Sequence, residues 1–190
     1  MYTSHRDPYC YAGTTVLKNR LGLRDQARLD AFETEVTAQR FREPLPSGDF
    51  SPEHYCAVHR HIFGDVYSWA GRYRTVRIFK GRSAFCYPEF IDAQMVTLFH
   101  ALVADLQSWT GNRAALVAGL SRFLMELNAI HPFREGNGRT QLAFAALVAQ
   151  RAGHRLAMEA LQPEAFLAAM IDSFGGDATQ LREHLADLIA

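Results

Sequence analysis

Apolar positions recur at helical spacing through most of the 190-residue chain. Leu29, Phe32 and Val36 mark a helix over residues 23–40, and the cluster Pro44, Pro46, Ser47, Gly48 breaks it. Ser51 before Pro52 is a helix start, because the hydroxyl can cap an unpaired N–H and proline lacks the N–H that the first helical position leaves unused. This second helix runs to about Phe63. Pro88 opens a third, whose apolar face carries Ile91, Met95, Leu98, Leu102 and Leu106 and which ends at Trp109-Thr110-Gly111-Asn112. Over residues 113–130, Leu116, Leu120, Phe123, Leu124, Leu127 and Ile130 share one face. Pro132 disfavours helical geometry at His131, so that helix stops near Ile130. A helix from about Gly138 contains the run Leu142 to Ala149, apolar on every side, and is expected to be buried at the centre of the others. Shorter helices over 163–174 and 177–189, parted by Gly175-Gly176-Asp177, complete a mainly α bundle.

Two stretches depart from the helical period. Residues 1–22 are rich in Tyr, Pro, Gly and Thr and read as an irregular arm wrapped on the domain. Residues 71–79, Gly-Arg-Tyr-Arg-Thr-Val-Arg-Ile-Phe, alternate basic and apolar side chains, the period of a half-exposed strand. Lys80-Gly81-Arg82-Ser83 supplies a turn and Ala84 to Tyr87 a return strand, giving a β-hairpin within residues 72–87. There is no internal repeat or low-complexity linker, and 190 residues suit a single domain.

Composition narrows the class further. Hydrophobic residues at 48% and charged residues at 21% describe a globular protein. Lys plus Arg balances Asp plus Glu at 20 each, so no overall charge draws the chain to nucleic acid. The local cluster Arg72, Arg74, Arg77, Lys80 and Arg82 is either a solvated edge strand protected by charge or a surface for an acidic partner. Cys10, Cys56 and Cys86 are scattered and form no metal spacing, which favours free thiols in a reducing compartment. With no apolar signal region and no run of membrane-spanning length, the cytoplasm is the expected location and no membrane is an expected partner.

The chemistry concentrates between the two central helices, in His131-Pro132-Phe133-Arg134-Glu135-Gly136-Asn137-Gly138-Arg139. A glycine-containing loop that runs into a helix N-terminus presents unpaired N–H groups and a favourable dipole to an anion. Gly136 and Gly138 allow close approach of a phosphate to the main chain. Arg139, on the first turn, adds a charged fork to phosphate oxygens. Glu135 would repel a bare phosphate, which makes sense if it holds Mg²⁺ shared with the substrate's phosphates. His131 is placed to act as a general base on an incoming hydroxyl. No Lys-Ser or Lys-Thr follows the glycines, so this is not a Walker A loop. A single His-Pro or Gly-x-Gly is ordinarily a turn; base, carboxylate, glycines, amide and arginine within nine residues are not.

These nine residues resemble the signature of Fic-domain proteins, HxFx(D/E)GNGRxxR. Asp7-Pro8-Tyr9, Gly13-Thr14 and Val16 to Gly22 are similar to the N-terminal segment of compact bacterial Fic toxins, and Phe63 to Gly71 to the stretch ahead of their hairpin. The resemblance implies a Fic-type helical bundle with a β-hairpin flap, and protein AMPylation: ATP and a protein Ser, Thr or Tyr yield an AMP-protein and pyrophosphate. His131 would take the hydroxyl proton and Glu135 would hold Mg²⁺ between the α- and β-phosphates. Gly136, Asn137 and Gly138, with the Asn137 side chain, would cradle the phosphates, Arg139 would bind the β-phosphate, and Phe133 would anchor the loop inward. Ile78, Phe79, Lys80 and Gly81 would form the flap that holds the target by main-chain pairing. The family further suggests a topoisomerase subunit as target and a separate small antitoxin.

The family pattern ends on a second arginine where this chain has Leu142. In the family that arginine orients the donor phosphates and pairs with an inhibitory glutamate. Transfer of a different nucleotide or of a phosphoryl group, or a weakly catalytic nucleotide-binding module, are the alternatives that Leu142 keeps open. Thr179-Gln-Leu-Arg-Glu183-His184 comes near the inhibitory [S/T]xxxE[G/N] pattern but ends in His, and reads as an ordinary amphipathic helix.

Overall fold

A computed structural model describes residues 7–80 and 83–190. Helix α1 spans Gln26–Arg40, α2 Pro52–Phe63, α3 Pro88–Trp109, α4 Arg113–Ile130, α5 Asn137–Arg151, α6 Pro163–Phe174 and α7 Thr179–Leu188, with one 3₁₀ turn at Met158–Ala160. Local chemistry accounts for most of these boundaries. The side chains of Asp25, Ser51 and Asn112 accept hydrogen bonds from the N–H groups of Arg28, His54 and Ala115 and so cap α1, α2 and α4. Proline opens α2, α3 and α6, where its missing N–H leaves no bond unmade.

Helix α5 is the buried helix the sequence predicts, with no exposed residue from Arg139 to Ala149. It lies between α2 and α4, while α4 in turn packs on α3, α6 and α7. The core between them is aromatic. Tyr55, Phe99, Phe123 and Phe144 meet mostly edge-on or tilted at centroid distances of 5.2–6.2 Å, the arrangement the ring quadrupole favours. Leu181, Leu185 and Leu188 bury one face of α7 against α4 and α6, and Glu183 is exposed, so Thr179 to His184 is part of a packed amphipathic helix.

The hairpin is shorter than its alternating pattern suggests. Among the described residues of the hairpin, only β1 (Phe79–Lys80) and β2 (Ser83–Ala84) pair, antiparallel, with Phe79 opposite Ala84. The flanking residues hydrogen-bond elsewhere: the N–H of Arg74 donates to Pro132 O at 2.8 Å and that of Cys86 to Ala129 O at 3.1 Å. The end of α4 and the loop just after it replace the hairpin's own ladder as their partners. Nor do the basic residues form one solvated face, because Arg74 is only 2% exposed. Gly81, expected at the flap tip, residues 1–6 of the expected arm and the side chain of Lys80 lie outside the described residues. From Asp7 to Gly22 the chain is irregular and tucks Val16 and Leu17 into the core.

Candidate active site

The loop from His131 to Gly136 joins α4 to α5, and each residue in it is held from a different direction. The N–H of His131 closes α4 by donating to Leu127 O at 2.9 Å, and the residue then turns into the left-handed region at φ 50°. Only Phe50 shares a positive φ among the described non-glycine residues, and such a conformation persists where surrounding contacts over-determine it. Those contacts are visible. The imidazole stacks on Phe85 at 3.9 Å, and Nδ1 sits 3.3 Å from Asn128 O. A proton on Nδ1 donated to that carbonyl makes Nε2 the basic nitrogen.

Arg74 supplies the strongest tether. Its Nε–H donates to His131 O at 2.8 Å, and Nη2 donates to Ile130 O at 3.2 Å and Cys86 O at 2.5 Å. Nη1 donates to Val76 O at 2.7 Å. One buried guanidinium thus joins both stems of the hairpin to the C-terminal carbonyls of α4, the negative end of that helix.

Phe133 is fully buried, stacked on His59 at 3.8 Å and on Tyr55 at 5.4 Å. Asn137 locks the turn around it: Oδ1 accepts from Phe133 N–H at 2.9 Å and Nδ2 donates to Phe133 O at 2.8 Å. The Asn137 side chain, expected to face the phosphates, therefore faces the loop's own main chain. Arg134 points away from the anion site and forms a buried pair with Asp7 of the arm at 2.6 Å.

His59 holds the acidic position from beneath. Gly71 N–H donates to its Nδ1 at 2.8 Å, so Nε2 carries the proton and donates it to the Glu135 carbonyl oxygen at 3.0 Å. Burial pushes the His59 pKa down to about 3, with the nearby Arg139 charge acting in the same direction, so the ring is neutral and its tautomer is set. The Glu135 side chain is half-exposed, and its Oε1 accepts from Gly136 N–H at 2.9 Å. That leaves a carboxylate face toward solvent at the mouth of the loop.

Gly136 stands at φ 83°, and a Cβ there would lie 2.4 Å from the Phe63 ring, so glycine is required twice over. Gly138 is different. It is exposed, has no positive φ, and a Cβ there would meet nothing within 4 Å. No side chain caps the N-terminus of α5, so the N–H groups of its first turn, next to Glu135 in sequence, have no side-chain acceptor. Arg139 lies over Phe63 at 4.6 Å from its ring centroid, and its Nη2 reaches Glu33 Oε1 at 2.5 Å and Glu135 Oε1 at 3.9 Å. Leu142, one turn on, is half-buried against the core.

Of the flap residues, Ile78 is fully buried and Phe79 half-buried under the guanidinium of Arg77 at 4.8 Å. Main chain is then what the described flap has to offer a partner strand. Arg74, His59, Glu33 and Asp7 all support the loop and were not singled out from the sequence as site residues. No local pattern marks them, since each meets the loop across a long sequence separation. Among the described residues no group of three or more His, Cys, Asp or Glu is arranged to hold a metal. The half-exposed Glu135 carboxylate beside uncapped N–H groups fits Mg²⁺ that arrives with a polyphosphate, which needs one or two protein carboxylates and not a cage.

The sequence pattern of the Fic/DOC family matches residues 49–149. A Sinorhizobium fredii protein named "Probable protein adenylyltransferase y4lH" is 48% identical over 99% of this chain and 98% of its own length. The Escherichia coli (strain K12) protein Fic, with the same descriptive name, is 33% identical over 93% of this chain and 89% of its own. In structure, the Bartonella tribocorum BepC protein with bound AMPPNP shares the fold at a TM-score of 0.86, covering 96% of each chain at 22% identity. The loop geometry, the pattern match and the full-length likeness agree: this chain belongs to the Fic/DOC family.

Proposed function

We propose that the chain is a protein adenylyltransferase that moves AMP from ATP to a Ser, Thr or Tyr hydroxyl of a target protein. The observation that carries this reading is one nine-residue segment, His131 to Arg139, that holds an oriented imidazole, a half-exposed carboxylate and an uncapped helix N-terminus with its arginine. The target oxygen attacks the α-phosphorus, an oxygen–phosphorus bond forms, and the bond from the α-phosphorus to the bridging oxygen of pyrophosphate breaks. Nε2 of His131 takes the proton of the attacking hydroxyl. The uncapped N–H groups of Asn137 and Gly138 would meet the negative charge that builds on the phosphates. Gly136, whose own N–H is held by the Glu135 carboxylate, would give the backbone turn of the cradle, and Arg139 would meet the β-phosphate end. Glu135 would hold Mg²⁺, which when bound neutralises charge on the α- and β-phosphates. Little covalent chemistry is asked of the chain, so positioning and preorganised charge supply most of the rate.

The flap edge would hold the target by main-chain pairing, as in strand addition. A cytoplasmic reaction, a topoisomerase subunit as target and a separate small antitoxin belong to the same proposal and rest on the resemblance of the motif and N-terminal segment to compact bacterial Fic toxins. No helix of the described chain is long and apolar enough to cross a membrane.

The test is incubation of the protein with bacterial lysate and ATP labelled at either the α- or the γ-phosphate. Label from the α position alone should appear on protein and disappear in His131→Ala. Transfer that survives His131→Ala sinks the mechanism, and γ-label on protein favours the phosphoryl-transfer reading that Leu142 motivates.

A further inference from the structure

We propose that Glu33 of α1 is a positioning residue for the nucleotide site: held by the hydroxyl of Tyr67, it fixes the Arg139 guanidinium in the orientation that receives a β-phosphate. This rests on the adenylyl-transfer reading for the identity of the ligand. The geometry behind it is a relay across three parts of the fold. The Tyr67 hydroxyl donates to Glu33 Oε2, and Glu33 Oε1 accepts from Arg139 Nη2 at 2.5 Å. Phe63 lies against the guanidinium at 4.6 Å and also forms the floor under Gly136. The arginine is therefore held at one edge and one face, beside the loop that would cradle the phosphates.

An arginine carries five N–H groups, and the contact with Glu33 engages one nitrogen. The same nitrogen, Nη2, also lies 3.9 Å from Glu135 Oε1, so Nε and Nη1 are the donors left for a ligand. Without Glu33, a long and mobile side chain has to be ordered by the ligand itself, which weakens binding. Tyr67 makes the relay one-directional. Burial and the adjacent Glu33 charge both push its phenol pKa upward, so it remains a donor and never a second anion. The relay has particular weight here because Leu142 stands where the family carries its second phosphate-binding arginine. Arg139 is then the motif's single remaining cation for the phosphates.

The experiment is calorimetric binding of Mg·ADP and of AMP to the full chain and to Glu33→Ala, Glu33→Gln, Tyr67→Phe and Arg139→Ala. Glu33→Ala should weaken Mg·ADP about tenfold, the size of one charge-assisted hydrogen bond, and leave AMP, which has no β-phosphate, unchanged. Glu33→Gln and Tyr67→Phe should each cost a few-fold, because part of the relay survives. In the Arg139→Ala background, Glu33→Ala should add nothing. Equal weakening of AMP and ADP would show a merely structural role and overturn the proposal. Tighter ADP binding by Glu33→Ala would make Glu33 a competitor for Arg139 and overturn it equally. If Arg139→Ala weakens ADP and Glu33→Ala does not, this inference fails alone. If Arg139→Ala leaves ADP unchanged, the phosphate assignment in the proposed function fails with it.

Discussion

The Nε–H of Arg74 donates to the carbonyl oxygen of His131 at 2.8 Å, although 57 residues separate them. The same side chain reaches Ile130, Cys86 and Val76, so the flap and the residue proposed as the base share one buried connector. Any strand that pairs with the flap is thereby registered against His131. Arg74→Lys keeps the charge but cannot reproduce a planar fork that serves four carbonyls. Each buried carbonyl left unpaired costs about 1–3 kcal/mol. Urea denaturation should show a loss of about 3 kcal/mol or more. A loss under about 1 kcal/mol would mean that water replaces these bonds and that the connector is dispensable.

The two glycines of the loop separate a folding role from a binding role. Gly136→Ala meets a left-handed backbone and the Phe63 ring at 2.4 Å, and should destabilise the fold by about 2 kcal/mol or more. Gly138→Ala meets open space on the first turn of α5 and should be neutral or stabilising by about 0.5–1 kcal/mol. Its effect should instead appear in Mg·ADP binding, weakened several-fold by a methyl group beside the phosphates. Unchanged binding in Gly138→Ala would remove that position from the phosphate cradle.

His59 makes stability depend on pH in a defined direction. Burial lowers its pKa from 6.5 to about 3 in the folded chain, so the unfolded chain binds the proton first as pH falls. Stability is fully present above pH 6.5 and declines below it, down to the folded-state value near pH 3. At pH 5 the loss from this residue should be about 2 kcal/mol. The check is urea unfolding of the wild-type chain and His59→Gln at pH 7.5 and at about pH 5. The wild type should lose stability between them by that margin more than the variant does, and equal slopes would remove His59 as the cause.

Leu142→Arg restores the cation that the family pattern has one turn beyond Arg139. Leu142 is half-buried, so an arginine stem can lie along the apolar surface while its head reaches solvent at the mouth. The expected outcome is several-fold tighter Mg·ATP binding and faster transfer, at a cost of about 1 kcal/mol in stability. A folded variant with unchanged binding would show that residue 142 does not face the donor.

What the sequence determined by itself was the helical framework and the identity of the chemical loop. The limits of α3 and α4, the proline starts and the Ser51 cap follow from rules that act over one or two turns, so they are legible without a fold. The motif from His131 to Arg139 is legible for the same reason: a general base, a carboxylate and a helix N-terminus sit within nine residues. Tertiary structure decided how that loop is held. Arg74 looked like one of several surface cations in an alternating strand, and became a buried fork because four carbonyls converge on it from the hairpin stems and the end of α4. Glu33 and His59 meet the loop across 106 and 76 residues. Such contacts depend on where helices pack, and periodicity within a segment carries no record of its distant partner. The hairpin was overestimated on the same ground, since alternation reports which side chains can face apart and not which strand, helix end or arginine will take the backbone bonds.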